Sequence, residues 1–134
     1  MKRLAFLPFM LIAAAAPAAN APGPDTPASL TARYAAEAGA APSAQRGAAF
    51  FAATHVGGKP DTPSCSTCHT ADPRAEGRTR AGKVIEPMAV SRNPTRYTDL
   101  KFVEKWFGRN CDSVLGRACT AGEKADFIAY MSSL

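Results

Sequence analysis

Cys65-Ser66-Thr67-Cys68-His69 is the stretch on which the reading of this chain turns. On a short helical turn, two sulfurs three residues apart reach the two vinyl groups of one porphyrin. The histidine that follows can then offer a ring nitrogen to the iron, so the pentapeptide has the form of a covalent haem attachment site. The same Cys-x-x-Cys also serves thiol exchange when it opens a helix in a β-α-β frame. No alternating β-branched strands flank it here, and the neighbouring patterns are helical. A zinc site is disfavoured because Cys65, Cys68 and His69 are crowded and no second Cys/His pair stands at zinc spacing. One covalent haem c, held by Cys65, Cys68 and His69, is therefore expected.

Upstream, the N-terminus supports that chemistry. Lys2 and Arg3 precede an apolar run from Leu4 to Ala16, then small residues ending Ala19-Asn20-Ala21, the order of a secretory signal over residues 1–21. The expected mature domain is residues 22–134, in the periplasm, where thiols and haem are joined outside the cytoplasm. The apolar run is shorter than the roughly 20 residues of a spanning helix, so no membrane insertion is expected. Removing Lys2 and Arg3 from the 16 basic residues leaves 14 against 11 acidic ones, a net charge of +3. That excess is spread along the chain and does not suit nucleic-acid binding.

The remaining sequence reads as helices and loops. Thr26 with Pro27 starts a helix to about Ala38, which Gly39 ends. Ser43 caps a second helix to about Thr54 carrying Phe50 and Phe51, and its Gly47 signals another helix crossing at close range. Val56 to Ser64 is a loop, as is Thr70 to Arg96. Thr98 or Asp99 caps a helix to about Phe107, with Leu100, Val103, Trp106 and Phe107 inward and Gly108 as its end. Thr120 and Glu123 form a capping box for a last helix with Phe127, Ile128, Met131 and Leu134 on one side. The fold class is all-α, with about four to five helices around one haem.

A Gly47/Phe51 helix, the haem motif and a final helix bearing Tyr130 resemble the class I cytochrome c plan. That resemblance implies that the first of these helices crosses the last near Gly47 and Tyr130. The departures from it are informative. Class I electron carriers hold iron on the far side with a methionine before the final helix. Here the stretch from Asn110-Cys111-Asp112 to Arg117-Ala118-Cys119-Thr120 has none. Cys111 and Cys119 are expected to pair as a disulfide in an oxidising compartment, closing a short loop worth about 2.5 kcal/mol. Asn110 lies directly before that bridge.

A narrower resemblance covers most of residues 22–134. The segments Gly57-Gly58-Lys59-Pro60-Asp61-Thr62-Pro63-Ser64-Cys65, Val103-Glu104-Lys105-Trp106, Gly108-Arg109-Asn110-Cys111, Gly116-Arg117, Cys119-Thr120 and Gly122-Glu123-Lys124-Ala125-Asp126 closely resemble the SHP family of asparagine-ligated, high-spin, oxygen-binding cytochromes c. The resemblance implies His69 and Asn110 as the two axial metal ligands, with Asn110 leaving on reduction so that O2, NO or CO can bind. It also implies a di-haem cytochrome c, fed by a membrane cytochrome b, as electron donor. An amide oxygen is a neutral, hard donor that suits ferric iron better than ferrous.

Two rivals stand beside Asn110. Met88 could supply a thioether, making the protein a plain low-spin His/Met electron carrier, although a buried methionine is more often packing. His55 could supply a second imidazole, although its place at a helix end has an ordinary surface explanation. Arg74, Arg78, Arg80 and Lys83 follow the haem motif and read as partners for haem propionates or an acidic redox protein, or as a solvated loop. No acid or base recommends itself as catalytic; Asp112 and Arg109 are merely close to Asn110 in sequence. Whether gas binding would lead to turnover, as in an oxygen- or nitric-oxide-reducing haem protein, is not written in these residues.

Overall fold

A computed structural model describes residues 23–134; the expected signal segment, residues 1–21, lies outside the described residues. In chain order, α1 (Pro27–Ala38), α2 (Ala44–Ala52), the short α3 (Ser66–His69), strands β1 (Gly77–Arg78) and β2 (Val84–Ile85), α4 (Leu100–Leu115) and α5 (Ala121–Ser133) make up the fold. The strands pair antiparallel, Gly77 with Ile85 and Arg78 with Val84. This ribbon interrupts a segment expected to be loop throughout.

Local chemistry explains where the helices begin and end. The Thr26 hydroxyl accepts from Ser29 N at 3.0 Å while Ser29 Oγ accepts from Thr26 N at 2.8 Å, satisfying two orphan donors of α1. Gly39 closes α1 at φ 65°, where a side chain would be strained. Ser43 caps α2 by accepting from Arg46 N, and Asp99 caps α4 by accepting from Phe102 N. Thr120 and Glu123 form the reciprocal box that starts α5.

α5 is the axis of the core. Both α1 and α2 pack against it, and Tyr34, Phe51, Leu30, Ile128 and Met131 are almost wholly withdrawn from water. Each such side chain contributes about 1.5–3 kcal/mol by burial. A Cβ on Gly47 would stand 2.0 Å from Asp126 O and 2.8 Å from Tyr130 Cβ, so only glycine lets α2 and α5 cross here. The crossing is locked electrostatically. Asp126, itself buried, accepts from Ser43 N at 2.6 Å and from the Arg46 guanidinium at 2.7 and 2.8 Å.

α4 departs from expectation. It does not stop at Gly108 but continues to Leu115, and Gly116 ends it at φ 67°. One interior glycine costs only about 1 kcal/mol against alanine, and the apolar stripe continues beyond it through buried Cys111, Val114 and Leu115, which outweighs that cost. Asn110 therefore sits inside a helix rather than on a loop. α4 meets the core through side chains: Phe107 lies edge-on to Phe127 with centroids 5.5 Å apart and to Tyr34 at 6.2 Å. The Tyr34 hydroxyl donates to Glu104 at 2.5 Å, and Lys124 Nζ donates to both Glu104 carboxylate oxygens.

Candidate haem-binding site

The α3 turn carries Cys65, as its N-terminal flanking residue, with Cys68 and His69 on one short helix. All three line a cavity of about 440 Å³ whose walls are mainly apolar, among them Phe50, Met88, Tyr97, Val103, Phe107 and Phe127. Both thiols are free and half-buried. Burial pushes the Cys65 thiol up to about 11. Burial, and secondarily the Arg96 charge, pulls the His69 imidazole down to about 4. At neutral pH His69 is thus an uncharged ring with a lone pair to offer. Its Nδ1 is buried with no hydrogen-bond partner. Unpaired polar atoms inside a protein are costly, and an imidazole in an apolar cavity beside two accessible thiols is a donor set that fits a covalently attached, iron-bearing macrocycle.

The opposite wall comes from α4. Asn110 lines the same cavity, and its side chain is exposed. Its neighbour Cys111 is buried and joined to Cys119 in a disulfide with Cα atoms 5.5 Å apart. Trp106, expected to face inward, is 40% exposed, as is Phe102 at 48%. The two stand one turn apart, packed edge to face at the cavity wall. Lys105 and Arg109 lie over the Trp106 ring at 5.8 and 5.5 Å.

Met88 is buried and lines the cavity, but its backbone N donates to Pro73 O at 2.8 Å. That ties it to the segment directly after His69. Its own carbonyl accepts from the Tyr97 hydroxyl at 3.0 Å. His55 is not among the lining residues; its Nε2 faces Phe50 O at 2.9 Å and its ring packs against Phe50.

Of the four basic residues singled out, Arg80 and Lys83 reach the cavity and Arg74 and Arg78 do not. Arg78 donates to Gly82 O, and Arg74 lies 3.7 Å from Asp72. Arg80 forms an ion pair with Asp61, tying the β1–β2 hairpin to the loop ahead of Cys65. Arg96, Thr62 and Ser113 also line the cavity and were not expected there, because tertiary docking brings them to it. No described helix is long and apolar enough to cross a membrane.

Comparison with known proteins places this geometry. A family described as a domain of unknown function (DUF1924) matches residues 37–131. The cytochrome c-type protein SHP of Cereibacter sphaeroides is 52% identical over 125 residues, 93% of this chain and 97% of that protein. Cytochrome c'' of Methylophilus methylotrophus is 38% identical over 92 residues, 68% of this chain and 64% of its own length. The structure of oxidised SHP, an oxygen-binding cytochrome c, superposes with TM-score 0.81 and 56% identity over 84% of this chain and all of that one. Oxidised cytochrome c'' from M. methylotrophus superposes with TM-score 0.64 and 34% identity, covering 78% of this chain and 91% of that one. With the all-helical, cytochrome-like fold and the Cys65/Cys68/His69 cavity in hand, the chain belongs to the SHP family of c-type cytochromes, whose cofactor is one haem c.

Proposed function

We propose that this c-type cytochrome works in the periplasm as a redox-gated gas-binding protein, with Asn110 as the gate. The observation that carries the reading is that Asn110, on α4, and His69, on α3, share the walls of one cavity. Cys65 and Cys68 would hold the haem through thioethers, and His69 and Asn110 would offer donor atoms to its iron. When bound, the haem supplies a one-electron couple and an iron that accepts diatomic gases. Asn110 offers a carboxamide oxygen, a neutral hard donor suited to the ferric charge and poorly suited to the ferrous state. Because its side chain lies at the exposed edge of α4, it can rotate away without disrupting a packed core. The Cys111–Cys119 bridge holds the backbone beside it while the side chain turns.

Met88 is the sixth ligand in the rival reading, that of a plain electron carrier. Its backbone bond to Pro73 supports instead a place in the wall continuous with His69, where a thioether serves as packing. Electrons would come from a di-haem cytochrome c reduced by a membrane cytochrome b. Arg80, Lys83 and Arg96 at the cavity suit an acidic donor surface or haem propionates. O2 and NO are the gases proposed for the reduced protein, with CO as a probe; reduction or detoxification of the bound gas would follow only if a proton source is recruited.

The test is optical. Oxidised wild-type protein should show high-spin ferric bands and bind CO promptly after reduction. Asn110→Ala should change the ferric spectrum and leave CO binding intact. An unchanged ferric spectrum in that variant removes Asn110 as ligand, and a thioether signature in wild type returns the role to Met88.

A further inference from the structure

Thr62 and Asp126 are the buried polar residues among those described. Asp126 serves the crossing of α2 and α5, whereas Thr62 ties the loop ahead of Cys65 to the last turn of α4. It lies three residues before Cys65 and lines the cavity together with Ser113 and Asn110. Ser113 follows Asn110 by three positions on α4, so the two share a helix face. Thr62 Oγ1 lies 3.0 Å from Ser113 O and 2.9 Å from Ser113 Oγ. Ser113 O also accepts from Lys59 N at 2.7 Å. It belongs to the last turn of α4, where carbonyls lack a helical partner, and the Lys59 amide already satisfies it.

Two hydrogen-bond arrangements therefore have the same number of bonds once an acceptor occupies the cavity. In the first, the Thr62 hydrogen goes to Ser113 O and the Ser113 hydrogen to Thr62 Oγ1. In the second, the Thr62 hydrogen goes to Ser113 Oγ and the Ser113 hydrogen turns into the cavity. Each hydroxyl has one hydrogen and two acceptor lone pairs, so both arrangements are allowed, and the second loses nothing provided an acceptor is waiting. The pair is held in register by backbone contact that tolerates no side chain. A Cβ on Gly58 would stand 2.4 Å from Ser113 O, and one on Gly116 2.0 Å from Gly57 O.

We propose that Ser113, with Thr62 as its positioning residue, is a switchable hydrogen-bond donor to the gas held in the cavity, and that it favours O2 over CO. This rests on the gas-binding reading above. The Ser113 hydroxyl would steady a bound dioxygen, which is polar and accepts a hydrogen bond, and would do little for CO, which stays nearly apolar. When no gas is present the Ser113 hydrogen returns to Thr62, and no buried donor is stranded.

The experiment compares reduced wild type, Ser113→Ala, Thr62→Val and Thr62→Ser as full holo-proteins. It measures O2 dissociation, CO affinity and the C–O stretching band under CO. Ser113→Ala should release O2 roughly fivefold to tenfold faster, the worth of one neutral hydrogen bond, change CO affinity less than about twofold, and move the C–O band to higher wavenumber. Thr62→Val should reproduce part of that change, and Thr62→Ser, which keeps the hydroxyl, should restore wild-type values. Equal O2 release and an unmoved C–O band in Ser113→Ala overturn the inference while leaving the gas-binding reading intact. Failure of reduced wild type to bind either gas overturns that reading and this inference with it.

Discussion

At the scale of single residues, Gly47 and Asn110 illustrate opposite degrees of legibility. An interior helical glycine is expensive in isolation, so Gly47 announced a close crossing, and the 2.0 Å clearance to Asp126 O bears that out. Gly47→Ala should destabilise the protein by about 2–3 kcal/mol, the upper range of overpacking, read from the midpoint of denaturant unfolding. Gly108, read as the end of a helix, does not end one: a Cβ there meets no atom within 4 Å, and α4 runs through it. Reading it as a stop put Asn110 on a loop, whereas the structure places it on the cavity-facing side of a helix. Thr62 and Arg96 could not be found from sequence, because their meaning comes from the wall on which they land.

At the scale of elements, α4 is held differently from its neighbours. α1 and α2 lie close along α5, whereas α4 has no comparably close backbone packing with another helix. It is fastened instead by side chains along its length. Glu104 fastens the first half. Burial alone would raise its carboxyl, but hydrogen bonds from Lys124 and Tyr34 outweigh burial and hold it below the usual carboxylate range. A lowered folded value contributes stability above the ordinary carboxylate value of about 4.3 and loses it as pH falls through the folded value. Glu104→Gln should therefore lower the unfolding midpoint at pH 7, and its difference from wild type should shrink as pH drops below about 4. The Cys111–Cys119 bridge fastens the second half. The paired change Cys111→Ser with Cys119→Ser should cost about 2.5 kcal/mol by loop-closure entropy, measured by denaturant unfolding. The limits of α1 and α5 were legible because capping residues act locally, while the β1–β2 hairpin was not, since two residues per strand leave no periodicity to read.

At the scale of the whole molecule, a packed core around α5 adjoins an apolar hollow. Phe50, Val103, Phe107 and Phe127 face that hollow, so much of the apolar surface they bury depends on what fills it. Cys65→Ala with Cys68→Ala, purified without haem, should show a lower unfolding temperature and a broader transition by circular dichroism than the holo-protein. Equal cooperativity in both would mean that α1, α2 and α5 stand alone. The architecture was readable from the haem motif and the amphipathic helices. The arrangement of charge around the opening was not, because Arg74 and Arg78 turn away while Arg96 arrives from a distant segment.

α5 is the helix on which α1 and α2 lean, and Val90 N donates to Met131 O on that same helix. A chain cut before Ala121 would keep every haem-attachment residue yet lose the surface on which α1 and α2 pack.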